Sequence, residues 1–85
     1  MTLQQLRYAI TIADSTSMNE AAKQLFISQP SLSSSIRDLE EELGMALFIR
    51  SSRGITLTLD VNEFIVYARQ VMEQYRLMEE RYIDK

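Results

Sequence analysis

Residues 17–44 read Ser-Met-Asn-Glu-Ala-Ala-Lys-Gln-Leu-Phe-Ile-Ser-Gln-Pro-Ser-Leu-Ser-Ser-Ser-Ile-Arg-Asp-Leu-Glu-Glu-Glu-Leu-Gly, and their punctuation decides the fold. Ser17 with Glu20 three positions later has the form of a capping box ahead of Ala21, Ala22 and Leu25, which predicts a short helix over about residues 18–25. After Phe26-Ile27, Ser28 can cap a further helix, with Pro30 in its first turn, where a missing N–H is tolerated. Leu32, Ile36, Leu39 and Leu43 then form one apolar stripe, and Gly44 is a natural C-terminal stop, so this helix is expected over about residues 29–43.

Upstream, Thr2 with Gln5 repeats the capping-box form, and Leu3, Leu6, Ile10 and Ala13 follow at steps of three and four, predicting a first helix over about residues 3–14. Downstream, the apolar and β-branched residues of Ala46–Leu57 flank Ser51-Ser52-Arg53-Gly54, the composition of a two-stranded hairpin, or wing. From Thr58, a plausible N-cap, no Gly or Pro interrupts the chain to Lys85, which permits one helix roughly 40 Å long. Along it Val61, Ala68, Tyr75 and Tyr82 recur every seventh residue with Phe64, Val71 and Met78 between them, the a/d spacing of a coiled-coil seam. Such a seam either packs on the domain's own core or pairs with a second helix. The distal turns favour pairing, because nothing in a small domain reaches that far to cover them.

With 85 residues, two Gly and one Pro, the chain is one domain, too short for two cores. The absence of Cys and His excludes disulfide scaffolds, zinc fingers and Cys- or His-based catalysis, so no cofactor and no metal site are expected. Carboxylate or Ser-Lys enzymes survive only formally, since nothing fixes such a pair. No apolar run is long enough to span a bilayer and the N-terminus lacks a signal peptide's apolar stretch, so a cytoplasmic protein is expected. A net charge of −3, from 9 basic and 12 acidic residues, argues at first sight against nucleic acid. The placement matters more: Leu25–Arg37 holds no acid, and Arg50 and Arg53 lie in the acid-free stretch Gly44–Leu59.

Two helices joined by so short a link, the second opening Ser-Gln-Pro-Ser, have the form of a helix-turn-helix. A recognition helix presses its N-terminal turn against base edges, so its outward residues are short or amide-bearing while an inward stripe locks it to the preceding helix. Ser28, Gln29, Ser31, Ser33, Ser34, Ser35 and Arg37 lie mostly off the Leu32-Ile36-Leu39 stripe. Serines can bond phosphate or base, and Gln29 can pair bidentately with adenine. A serine-rich helix surface can equally be a solvated face, with Ser28 only a cap. Arg50 could contact phosphate or pair with Glu40–Glu42, acids placed unfavourably near a helix C-terminus; Arg53, beside Gly54 at a hairpin tip, has no obvious partner and favours DNA. The methionines read as packing residues.

The order of these segments is more specific than any one of them. Leu6-Arg7-Tyr8, Ala21–Leu25, Ile27-Ser28-Gln29-Pro30-Ser31-Leu32-Ser33, Ile36–Gly44, Leu47-Phe48-Ile49-Arg50 and Leu57-Thr58 together resemble the N-terminal domain of LysR-type transcriptional regulators over nearly the whole chain. The resemblance implies a mostly α winged helix-turn-helix over residues 1–58 and a linker and dimerisation helix over residues 59–85. It also implies a separate C-terminal domain, absent from this chain, that binds a small-molecule inducer. Carried over by position, it sets Gln29, Pro30, Ser31, Ser33 and Ser34 toward DNA and Arg53 in the wing. Two departures stand out: Ser34 and Asp38 replace frequent arginines, which removes phosphate contacts, and Asp60-Val61 replaces the usual Ala-Gly at the start of the linker helix.

The expected function is sequence-specific binding of double-stranded DNA by a homodimer in a ligand-responsive regulator, with no catalytic residues and no membrane partner. The DNA-contacting set is Ser28, Gln29, Pro30, Ser31, Ser33, Ser34, Arg37, Arg50 and Arg53. The pairing set is Val61, Phe64, Ala68, Val71, Tyr75, Met78 and Tyr82. The competing expectation is an acidic winged-helix module that binds partner proteins.

Overall fold

The computed structural model describes residues 1–84. Its elements run α1 (Leu3–Ala13), α2 (Met18–Leu25), α3 (Gln29–Leu43), β1 (Phe48–Ser51), β2 (Gly54–Leu57) and α4 (Leu59–Tyr82). All five expected elements are present, and the mostly α winged fold class holds. The limits differ at two ends: α1 stops at Ala13 with Asp14 as its cap, and α4 stops at Tyr82, while the expected terminus at Lys85 lies outside the described residues.

The caps read from the sequence are the caps that form. Thr2 accepts the Gln5 N–H at 3.1 Å while the Gln5 side chain accepts the Thr2 N–H at 3.0 Å, a reciprocal capping box. Ser17, Ser28 and Thr58 each accept the N–H three residues on, from Glu20, Ser31 and Val61. Gly44 ends α3 at φ 72°, a left-handed position where a residue without Cβ is unstrained.

Ala9, Ile12, Ala21, Leu32, Ile36, Leu39, Leu47 and Val61 are fully buried and form the centre of a single core drawn from every helix and the base of the wing. The strands are antiparallel, with Phe48 opposite Leu57 and Ser51 opposite Gly54, leaving Ser52-Arg53 as a two-residue turn. Phe48 and Arg50 therefore share one face of the hairpin, and the buried Phe48 turns that face toward the core. The molecule is elongated, 45 × 25 × 19 Å, because the second half of α4 projects beyond the core. No helix among the described residues is long and apolar enough to cross a membrane.

Candidate nucleic-acid interface

The wing is fastened to α3 by an acid for which the sequence supplied no role beyond solvation or pairing with Arg50. Glu40 Oε2 accepts the backbone N–H of Leu47 at 2.7 Å and of Phe48 at 3.3 Å. Just past β2, Thr58 donates through Oγ1 to the carbonyls of Ala46 and Leu47, both at 3.2 Å. The tip is fixed as well. Gly54 has φ +116°, and a Cβ there would lie 2.7 Å from the carbonyl oxygen of Thr16, so the wing abuts the α1–α2 turn closely enough that only glycine fits.

This docking creates a cleft of about 550 Å³ between the wing and the N-terminal turns of α2 and α3, lined by Thr16, Ser17, Asn19, Gln29, Arg50 and Arg53 among others. Arg50 and Arg53 thus stand across from the first turn of α3. Neither is ion-paired among the described residues, and neither are Lys23 and Arg37. Glu40 serves the wing backbone and Glu42 pairs with the amino group of Met1, so the alternative pairing of Arg50 with the acid run is not formed. Paired cations lie elsewhere: Arg69 with Asp14 at 2.6 Å, and Arg76 with Glu73 and Glu80, each at 2.7 Å. The hydrogen bond from Arg76 holds the Glu73 carboxyl below its ordinary range.

On α3, Ser28, Pro30, Ser31, Ser34 and Arg37 are exposed and Gln29 is half-buried at the cleft. Ser28 donates to the Ser31 hydroxyl at 2.8 Å, so the cap also orders its neighbour. Ser33 sits differently from these neighbours. It is 4% exposed, inside the inward stripe between Leu32 and Ile36, and its hydroxyl accepts from Gln29 Nε2 at 2.8 Å. It thereby holds the Gln29 amide, and its burial makes the packed stripe of α3 wider than the leucine spacing alone suggests. Phe26, which the sequence reading passed over, is exposed in the turn between α2 and α3 at φ 58°. Its bulk at the boundary between two caps was the available signal.

The pairing seam on α4 also divides. Val61 and Ala68 are 0% and 2% exposed, committed with Ile65 to the chain's own core and to α1, and so drop out of the pairing set. The reason is that the first turns of α4 complete the core, while α1 lies along its later turns, where Asp14 pairs with Arg69 and Arg7 and Ile10 lie beside Met72 and Tyr75. Phe64 and Tyr75 are half-buried, and Val71, Met78 and Tyr82 are exposed. Tyr67, one turn before Val71, is exposed on the same side and was not anticipated. Leu3 of α1 completes an apolar groove of about 450 Å³ with Val71, Tyr75, Met78 and Tyr82.

This architecture is shared with known proteins. The family model described as bacterial regulatory helix-turn-helix protein, LysR family, matches residues 3–60. The HTH-type transcriptional regulator YkuM of Bacillus subtilis is 38% identical over 80 residues, 93% of this chain and 27% of that protein. The Hca operon transcriptional activator HcaR of Escherichia coli is 42% identical over 74 residues, 87% of this chain and 25% of that protein. The chain thus spans about a quarter of the length of these curated relatives. The crystal structure of the CbnR_DBD–DNA complex superposes with a TM-score of 0.90 at 38% identity, covering 95% of this chain and 93% of that one. With the family model matching 3–60 and these relatives aligned over most of its length, the chain belongs to the LysR family of bacterial regulatory helix-turn-helix proteins.

Proposed function

We propose that this chain binds double-stranded DNA sequence-specifically as the N-terminal domain of a ligand-responsive transcriptional regulator. Residues 1–58 are assigned to the DNA-binding unit and residues 59–85 to the linker and pairing segment, in which the first turns of α4 also complete the unit's core. The observation that carries this reading is the cleft in which unpaired Arg50 and Arg53 face Gln29 and the hydroxyl-lined first turn of α3. Exposed Ser28, Pro30, Ser31 and Ser34 suit a helix end entering the major groove, while the wing arginines grip the adjacent backbone. The solved CbnR_DBD–DNA complex, similar over nearly the whole chain, supports DNA binding by this fold.

Two copies pair through the outward side of α4, by Phe64, Tyr67, Val71, Tyr75, Met78 and Tyr82, giving a two-fold axis that reads a two-fold operator. An inducer acts through a C-terminal domain of the whole regulator. The named relatives are transcriptional regulators, and the proposed role is binding rather than catalysis, in the cytoplasm. Selection of bound sites from random duplex DNA tests the reading: the expected result is a palindromic consensus whose affinity falls steeply with salt. Recovery of no consensus would overturn it and favour the protein-binding alternative.

A further inference from the structure

Helix α2 ends in a double hydrogen bond: the N–H of Phe26 donates to the Lys23 carbonyl at 3.2 Å and the N–H of Ile27 to the Ala22 carbonyl at 3.1 Å. That closure requires a left-handed residue at position 26, and Phe26 takes it at φ 58°, ψ 39°, the one non-glycine positive φ among the described residues. Glycine or asparagine fills such a position with little strain, whereas a side chain with a bulky Cβ substituent is disfavoured. The ring recovers nothing by packing, since Phe26 is 94% exposed. The residue is thus unfavourable both to the backbone and to the solvated surface, and nothing in the fold accounts for it.

Its place says what can cover it. Phe26 stands two residues before the Ser28 cap, so its Cα lies within about 7.6 Å of the Ser28 Cα, at the end of α3 whose exposed first turn is polar. When that turn enters a major groove, Phe26 arrives at the groove's edge. Phosphates and sugar oxygens offer an apolar ring no gain on desolvation; the apolar feature presented by the major groove is the C5-methyl group of thymine. We infer that Phe26 is a specificity-determining residue whose ring covers a thymine methyl group at the edge of the half-site contacted by α3. This rests on the duplex-DNA reading above and adds a contact to it: an apolar one, beside the polar contacts of Gln29 and the serines.

The test uses the duplex selected by the wild-type chain, with each thymine replaced in turn by deoxyuridine, which removes only the methyl group. At one position the replacement is expected to weaken the wild type about fourfold, the effect of burying one such carbon. Phe26→Asn is expected to bind the thymine and deoxyuridine duplexes equally, while Arg53→Ala keeps the difference. Phe26→Asn should also raise Tm, since asparagine tolerates the left-handed position, which separates a lost contact from a lost fold. Selection of a duplex whose affinity is indifferent to every deoxyuridine, or a difference that survives in Phe26→Asn, would overturn this inference and leave DNA binding intact. Failure of the wild type to select any duplex would overturn both.

Discussion

The side-chain amide of Gln29 donates to the buried hydroxyl of Ser33 at 2.8 Å, one turn further along the same helix. A free glutamine loses rotamer freedom of about 1.5–2 kcal/mol when it is immobilised. Ser33 does part of that ordering before any partner arrives, and leaves Gln29 its carbonyl oxygen and a second N–H for an adenine edge. Gln29→Ala is expected to cost about 1–3 kcal/mol at one base position and to relax preference there. Ser33→Ala should weaken the same preference by about 0.5–1.5 kcal/mol, the net value of one hydrogen bond. Because Ser33 acts through Gln29, adding Ser33→Ala to Gln29→Ala should lower affinity no further. Binding of the four proteins to one operator and its single-base variant checks this; additive losses would give Ser33 a separate role.

Arg53 occupies the two-residue turn of the wing and has no ion-pair partner among the described residues. Its backbone N–H donates to Ser51 Oγ at 3.2 Å, which orders the turn without engaging the guanidinium. In a chain of net charge −3, with Ser34 and Asp38 on the exposed side of α3, each remaining cation carries a larger share of the attraction to phosphate. Arg53→Ala should weaken binding to all duplexes and reduce the slope of log affinity against log salt by about 1. It should also flatten any preference for A/T-rich flanks, whose narrow minor groove concentrates negative potential. Salt titrations on A/T- and G/C-flanked operators measure both, and an unchanged slope would leave the wing in solvent.

Local signals carried most of this fold. Thr2, Ser17, Ser28 and Thr58 each cap the helix their sequence position announces, because capping is a contact over three residues and needs no tertiary partner. What the sequence left open lies where packing between elements decides. Val61 and Ala68 satisfy a heptad as well as Val71 does, and only the packing of the other elements around the first turns of α4 buries them. Ser33 looked like its neighbours Ser31 and Ser34, yet the inward stripe of α3 includes it. The partners of Glu40 are the backbone N–H groups of Leu47 and Phe48 at the entry to the wing, seven and eight residues away, which no helix periodicity announces.

That contact gives a stability prediction. Leu47 is fully buried, so Glu40→Leu leaves its N–H without a partner, a loss of about 1.5–3 kcal/mol for a hydrogen bond to a charged group. Glu40→Gln keeps an acceptor oxygen of nearly the same reach and should cost less. Urea unfolding at fixed protein concentration should show the two midpoints in that order with unchanged m-values. Equal midpoints would mean that the carboxylate does not hold the wing.

The two halves of the α4 pattern predict opposite failures. Val61 is fully buried in the chain's own core, so Val61→Asp places an unpaired carboxylate inside the apolar cluster and should unfold the domain. Val71, 45% exposed, touches the apolar groove of α1 and distal α4, and its replacement by Asp should leave the domain folded. A two-fold pairing surface presents each residue twice, so Val71→Asp introduces two carboxylates into one apolar contact. Dimer affinity should fall at least tenfold, about 1.4 kcal/mol, with the helical circular dichroism of the domain retained. Sedimentation over a range of concentrations reads the change directly. Undiminished association of Val71→Asp, with the domain folded, would place the dimer interface on another face of the molecule.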